Sequence, residues 1–146
     1  MVNATFQKFG WPGTRIAETA HWGVMLRPEQ PTLGSLVLAC KQPVQAFGEV
    51  DAAGFADLGV ATTAIEKMLI AAIGYDKINY LMLMMVDPDV HFHVLPRYDG
   101  ARSFEGLEIA DQGWPGPPVL AEATAPDQAG LDALAAHLKR HWPLPG

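Results

Sequence analysis

Apolar residues between positions 51 and 73 recur at spacings of three and four: Phe55, Leu58, Ile65, Leu69 and Ala72, with Thr62 in the same series. That spacing traces one face of an α-helix. Asp51 is suited to accept from the first unpaired backbone N–H groups, and Gly74 to stop the helix. The pattern predicts a helix over 51–73 that covers a sheet. HWGVMLR at 21–27 reads as a strand ended by Pro28 and Pro31, and SLVLACK at 35–41 as a second, with Pro43 behind it. INYLMLMM at 78–85 reads as a third strand, its methionines core filling. The short link Val86-Asp87-Pro88 favours an antiparallel hairpin with the next strand.

Positions 1–20 hold the turn residues Gly10, Pro12 and Gly13 and leave 14–19 unassigned. The Gly-, Pro- and acid-rich stretch 98–118 predicts a surface loop whose Trp114 needs apolar cover. A last helix is expected over 126–142, with Leu131, Leu134, Leu138 and Trp142 as its buried stripe. The sum is an α+β fold: an antiparallel β-sheet with one long central helix and a C-terminal helix.

The segment 89–97, DVHFHVLPR, carries the chemistry. Strand side chains alternate, so Asp89, His91, His93 and Arg97 are expected on one face, and Val90, Phe92 and Val94 on the core face. Two imidazoles, a carboxylate and a guanidinium together predict a site. In one reading, a neutral His91 attacks phosphorus, with neighbouring groups to hold its tautomer and bind phosphate oxygens. In another, His91, His93 and Asp89 ligate a metal, although a cation beside Arg97 is unfavourable and no cysteine partner is at hand. A third leaves the histidines solvent-exposed and without chemistry.

Composition narrows the partners. The chain has 146 residues, enough for one domain with its own core, and no internal repeats. A net charge of −6 argues against a nucleic-acid polymer as partner, while a small anion needs only a few local donors. One cysteine, Cys40, excludes an internal disulfide and reads as a small buried hydrophobe. Positions 1–10 lack the apolar stretch of a signal peptide, and the longest apolar run, 80–86, is strand-sized. The expectation is a soluble, cytoplasmic protein without a membrane partner. His137 and His141 have metal-pair spacing on the last helix, but a solvated helix face is the favoured reading.

HFHVLPR at 91–97 resembles the histidine triad (HIT) family, whose hallmark is His-x-His-x-His followed by two apolar residues. GSLVLACK at 34–41 resembles that family's Gly-His-x-Leu-Val strand. DKINY at 76–80 and WPGP at 114–117 resemble its diadenosine-tetraphosphate-hydrolase-like branch. The likeness implies a single HIT-like domain over 1–146, with a core at about 21–98 and a C-terminal loop and helix at 99–146. It also implies a homodimer that acts at the α-phosphate of nucleoside polyphosphates, such as dinucleoside polyphosphates, through a covalent nucleotidyl-histidine. No cofactor or metal is implied.

By position, the nucleophile falls on His91 and the phosphate-contacting histidine on His93. The first histidine of the triad is replaced by Asp89, which is expected to support His91 as a carboxylate. Ser35 replaces the histidine after the glycine, and Met85 aligns with a polar phosphate contact. Arg27 stands where the family often has a ribose-binding acid or amide, and is expected to meet phosphate. Ser35, Asn79 and Arg97 complete the expected substrate contacts. The alternatives are a nucleotide-binding module with little turnover and a metal-binding β-strand protein.

Overall fold

A computed structural model describes residues 3–145. In chain order it has helix α1 (Ala4–Lys8), strands β1 (Arg15–Glu18), β2 (Trp22–Leu26) and β3 (Leu36–Cys40), helix α2 (Ala52–Ala72), strands β4 (Lys77–Leu81), β5 (His91–Arg97), β6 (Ala101–Phe104) and β7 (Leu107–Ala110), and helix α3 (Gln128–Arg140). Five strands form one antiparallel sheet in the order β1-β2-β3-β5-β4. The fold is α+β, with a long helix and a C-terminal helix on the sheet.

Helix α2 begins where its sequence can cap it. The Asp51 carboxylate accepts from the Gly54 N–H at 2.7 Å. It ends at Gly74, whose φ of +75° suits glycine and whose N–H donates to Leu69 O at 3.1 Å. Its buried side is Ala61, Ala64, Ile65, Met68 and Leu69. Of the expected stripe, Ile65 and Leu69 are buried and Leu58 and Ala72 pack against the core, whereas Phe55 is 40% exposed and meets Phe47 edge-on at 5.2 Å.

The core between this helix and the sheet includes Trp22, Val24, Leu36, Leu38 and Val94. Trp22 is fully buried and donates from its indole to Gly54 O at 2.8 Å. Leu134, Ala135 and Leu138 of α3 join the same core. Helix α3 starts at Gln128 because Asp127, not Pro126, caps it, accepting from the Gly130 N–H at 2.8 Å. Trp142 lies just beyond its end, half-buried against the core.

Three further expectations need correction. Strand β4 stops at Leu81 instead of running to Met85. The chain turns away through Met84, whose φ is +51°, and leaves Met85 and Val86 87% and 82% exposed. The stretch expected to be a surface loop contains the β6–β7 hairpin, closed by Glu105 and Gly106 with φ of +46° and +84°. Two consecutive positive φ values mark the tight turn that matches the twist of paired strands. The N-terminal stretch, read only for its turn residues, also holds α1, and the unassigned positions 14–19 contain β1.

Arg97, expected in the site, is a structural residue. Its guanidinium donates to both Asp111 carboxylate oxygens at 2.7 and 3.0 Å, to Asn79 Oδ1 at 2.7 Å and to Gly116 O at 2.9 Å. The Arg97 and Asp111 side chains are 4% and 1% exposed. The pair pins the WPGP stretch to the end of β5, and removing one partner strands a buried charge. Arg97→Met is therefore expected to lose about 3–5 kcal/mol of stability, read from a shifted denaturant midpoint; an unchanged midpoint would contradict the assignment.

Candidate functional site

Sheet register decides what surrounds the histidines. His93 pairs with Val37, which pairs with Met25; His91 pairs with Ala39, which pairs with Gly23. These rows lie on the sheet face opposite α2, because strand side chains alternate. The two imidazoles meet edge-to-face, with ring centroids 5.2 Å apart. The N-terminal segment crosses this face. Phe6 is fully buried there against Met25, Val37 and Ala39, and Phe9 lies 6.1 Å from the His91 ring and 5.9 Å from that of His93.

Asp89 does not act as the expected supporting carboxylate. It precedes β5, and its Oδ2 accepts from the Thr5 hydroxyl at 3.1 Å. Its backbone carbonyl instead meets His91 Nδ1 at 2.6 Å. A carbonyl oxygen only accepts, so Nδ1 carries the proton and Nε2 of the neutral ring keeps its lone pair. The backbone thus fixes the tautomer, and His91 is held in it while 2% exposed.

A cleft of about 320 Å³ opens beside the two histidines. Lys8, Arg27, Glu29 and Asp87 supply its charged walls, and Phe9 with the segment 83–86 its apolar ones. Burial first, then the nearby Arg27 and His91, lowers the His93 pKa to about 4. His93 is therefore neutral near pH 7. Among the described residues, His93 Nδ1 and Arg27 Nε are buried polar atoms without a hydrogen-bond partner. Such atoms are costly unless something completes them, and both belong to residues lining this cleft. A larger depression, about 480 Å³ along α2, offers only Thr63 and Lys67 as polar side chains and has no histidine.

The other expected contacts lie elsewhere. Ser35 is fully buried in a turn, where its hydroxyl donates to Thr32 O at 2.7 Å and accepts from the Thr32 N–H at 3.2 Å. Asn79 is engaged by Arg97, and neither lines the cleft. Arg27 does. Sequence reasoning missed Lys8, Phe9 and Asp87, which only the packing of the N-terminal segment brings to the histidines. Among the described residues no group of three His, Cys, Asp or Glu side chains is placed to hold a metal. His137 donates from Nε2 to Ala72 O at 3.0 Å and stacks on Phe104, so it serves packing. Cys40 is buried, which raises its thiol pKa. No helix among the described residues is long and apolar enough to cross a membrane.

No protein-family model matches the sequence, and no curated protein matches it either. Solved structures do. A histidine triad protein from Bradyrhizobium japonicum superposes with a TM-score of 0.74 over 97% of both chains at 18% identity. A histidine triad (HIT) protein from Sinorhizobium meliloti gives 0.75 over 97% of this chain and 96% of its own at 21% identity. A hypothetical histidine triad nucleotide-binding protein from Sulfolobus tokodaii gives 0.71 over 94% and 88% at 14% identity. The chain has the histidine triad fold.

The His93 pKa, lowered from 6.5 to about 4, has a consequence for stability. The fold favours neutral His93, so this stabilisation is complete above about pH 6.5 and disappears as the pH falls through about 4. Stability of the wild type should fall more steeply over that window than that of His93→Gln. Parallel stability–pH curves would contradict it.

Proposed function

We propose that the chain is a histidine triad protein that binds a nucleotide beside His91 and His93 and cleaves or transfers it at the α-phosphate. The observation that carries this reading is the bond between His91 Nδ1 and the Asp89 carbonyl, which leaves Nε2 as a nucleophile beside a cleft with unsatisfied polar atoms. The cleft volume of about 320 Å³ lies in the range of small-ligand sites.

In the proposed reaction, the Nε2 lone pair attacks the α-phosphorus and forms a P–N bond. The P–O bond to the leaving group breaks, and its electron pair departs with the leaving oxygen. The Asp89 carbonyl, already accepting from Nδ1, stabilises the imidazolium that results. Water or another acceptor then attacks phosphorus, the P–N electrons return to Nε2, and the attacking oxygen gives its proton to solvent. His93 and Arg27 are assigned to the phosphate oxygens, and the apolar segment 83–86 to the nucleoside. Asp89 serves through its backbone carbonyl.

A homodimer belongs to the same reading. β4 ends the sheet with one edge unpaired, and Val60 and Ile70 of α2 are 48% and 51% exposed. Light scattering should give a mass twice the 15.8 kDa of the chain. Val60→Asp should lower it toward the monomer, and a monomeric wild type would remove the dimer from the reading.

His91→Ala should abolish release of adenosine monophosphate from diadenosine tetraphosphate while leaving the fold intact. Full activity in that variant would sink the mechanism. Binding by the wild type without any product would point instead to a nucleotide-binding module.

A further inference from the structure

The N-terminal segment 3–11 is tied over the histidine face at several points. Asn3 Nδ2 donates to Cys40 O at 3.1 Å, and the Thr5 hydroxyl to the Asp89 carboxylate at 3.1 Å. Phe6 fits because Gly23 lies beneath it, and an added Cβ there would overlap the ring. Phe9 packs against both imidazoles. Lys8 is thus held by a built scaffold, with its Nζ on Asp87 Oδ2 at 2.7 Å. Its side chain remains 47% exposed.

Lys8, Phe9, Arg27 and Glu29 line two spaces at once: the histidine cleft and a neighbouring depression of about 230 Å³. Two cations therefore stand where a ligand would pass from the reacting histidine into the second space. Arg27 Nε is buried with no partner among the described residues, while Nη1 donates to Glu29 O at 2.8 Å. An exposed ion pair holds weakly, so a phosphate can displace Asp87 from Lys8.

Resting on the nucleotide reading of His91, we propose that Lys8 and Arg27 clamp the phosphates beyond the reacting one. When the P–O bond breaks, a polyphosphate leaving group departs as an anion with the bonding pair and needs no proton. The two cations stabilise the charge it gains.

Calorimetric titration of the full chain with AMP, ADP, ATP and adenosine 5′-phosphoramidate tests the clamp. The wild type should bind ATP at least about tenfold more tightly than AMP. Lys8→Met should remove most of that gain, Lys8→Arg should keep it, and the phosphoramidate should respond to Lys8→Met as AMP does. Asp87→Asn, which frees Lys8 of its competitor, should enlarge the gain. Equal gains in wild type and Lys8→Met would overturn the clamp, as would AMP binding with no gain along the series, and either result leaves the nucleotide reading standing. If none of the nucleotides binds, both proposals fall.

Discussion

The pairing register of β3 with β5 is the constraint on which the site depends. Leu36 pairs with Val94 and Leu38 with Phe92 on one face, while Val37 pairs with His93 and Ala39 with His91 on the other. A slip of one residue would send both imidazoles under α2 and bring the apolar set to the cleft. Leu36, Leu38 and Val94 are fully buried, so the core on one side of the sheet fixes the chemistry on the other. The same register sets Ala39 and Gly23 in a row with His91, and these small residues make room for Phe6.

Asp89 divides its work between backbone and side chain. The carbonyl holds the His91 tautomer, and the carboxylate anchors Thr5 and with it the segment that carries Lys8 and Phe9. A carboxylate placed directly on the imidazole would favour its protonated form and oppose attack. Here the carboxylate is bonded to Thr5 instead and gives the N-terminal segment a fixed place beside the histidines.

Much of the frame was legible in the sequence because its signals are local. Strand alternation put His91 and His93 on one face, and Asp51 and Gly74 marked the ends of α2. The parts that were not legible depend on distant partners. Arg97 has the alternation of a site residue, but Asp111 draws it into a buried pair. Ser35 bonds within its own turn, and nothing near Lys8 or Phe9 in sequence announces that they meet the histidines. Phe55 has the spacing of the α2 stripe, but it packs on Phe47 outside the core, while Ile65 and Leu69 of the same stripe are buried. The β6–β7 strands are four residues each, too short to assert a period within a polar stretch.

In the proposed reaction His91 becomes covalently attached to a nucleotide. Rapid acid-free quenching of the wild type during turnover of diadenosine tetraphosphate, followed by peptide mass analysis, tests it most directly. The account predicts one added adenylyl group on the peptide containing His91, attached through nitrogen and lost on acidification. Turnover with no adduct at any time, or an adduct on another residue, would contradict it.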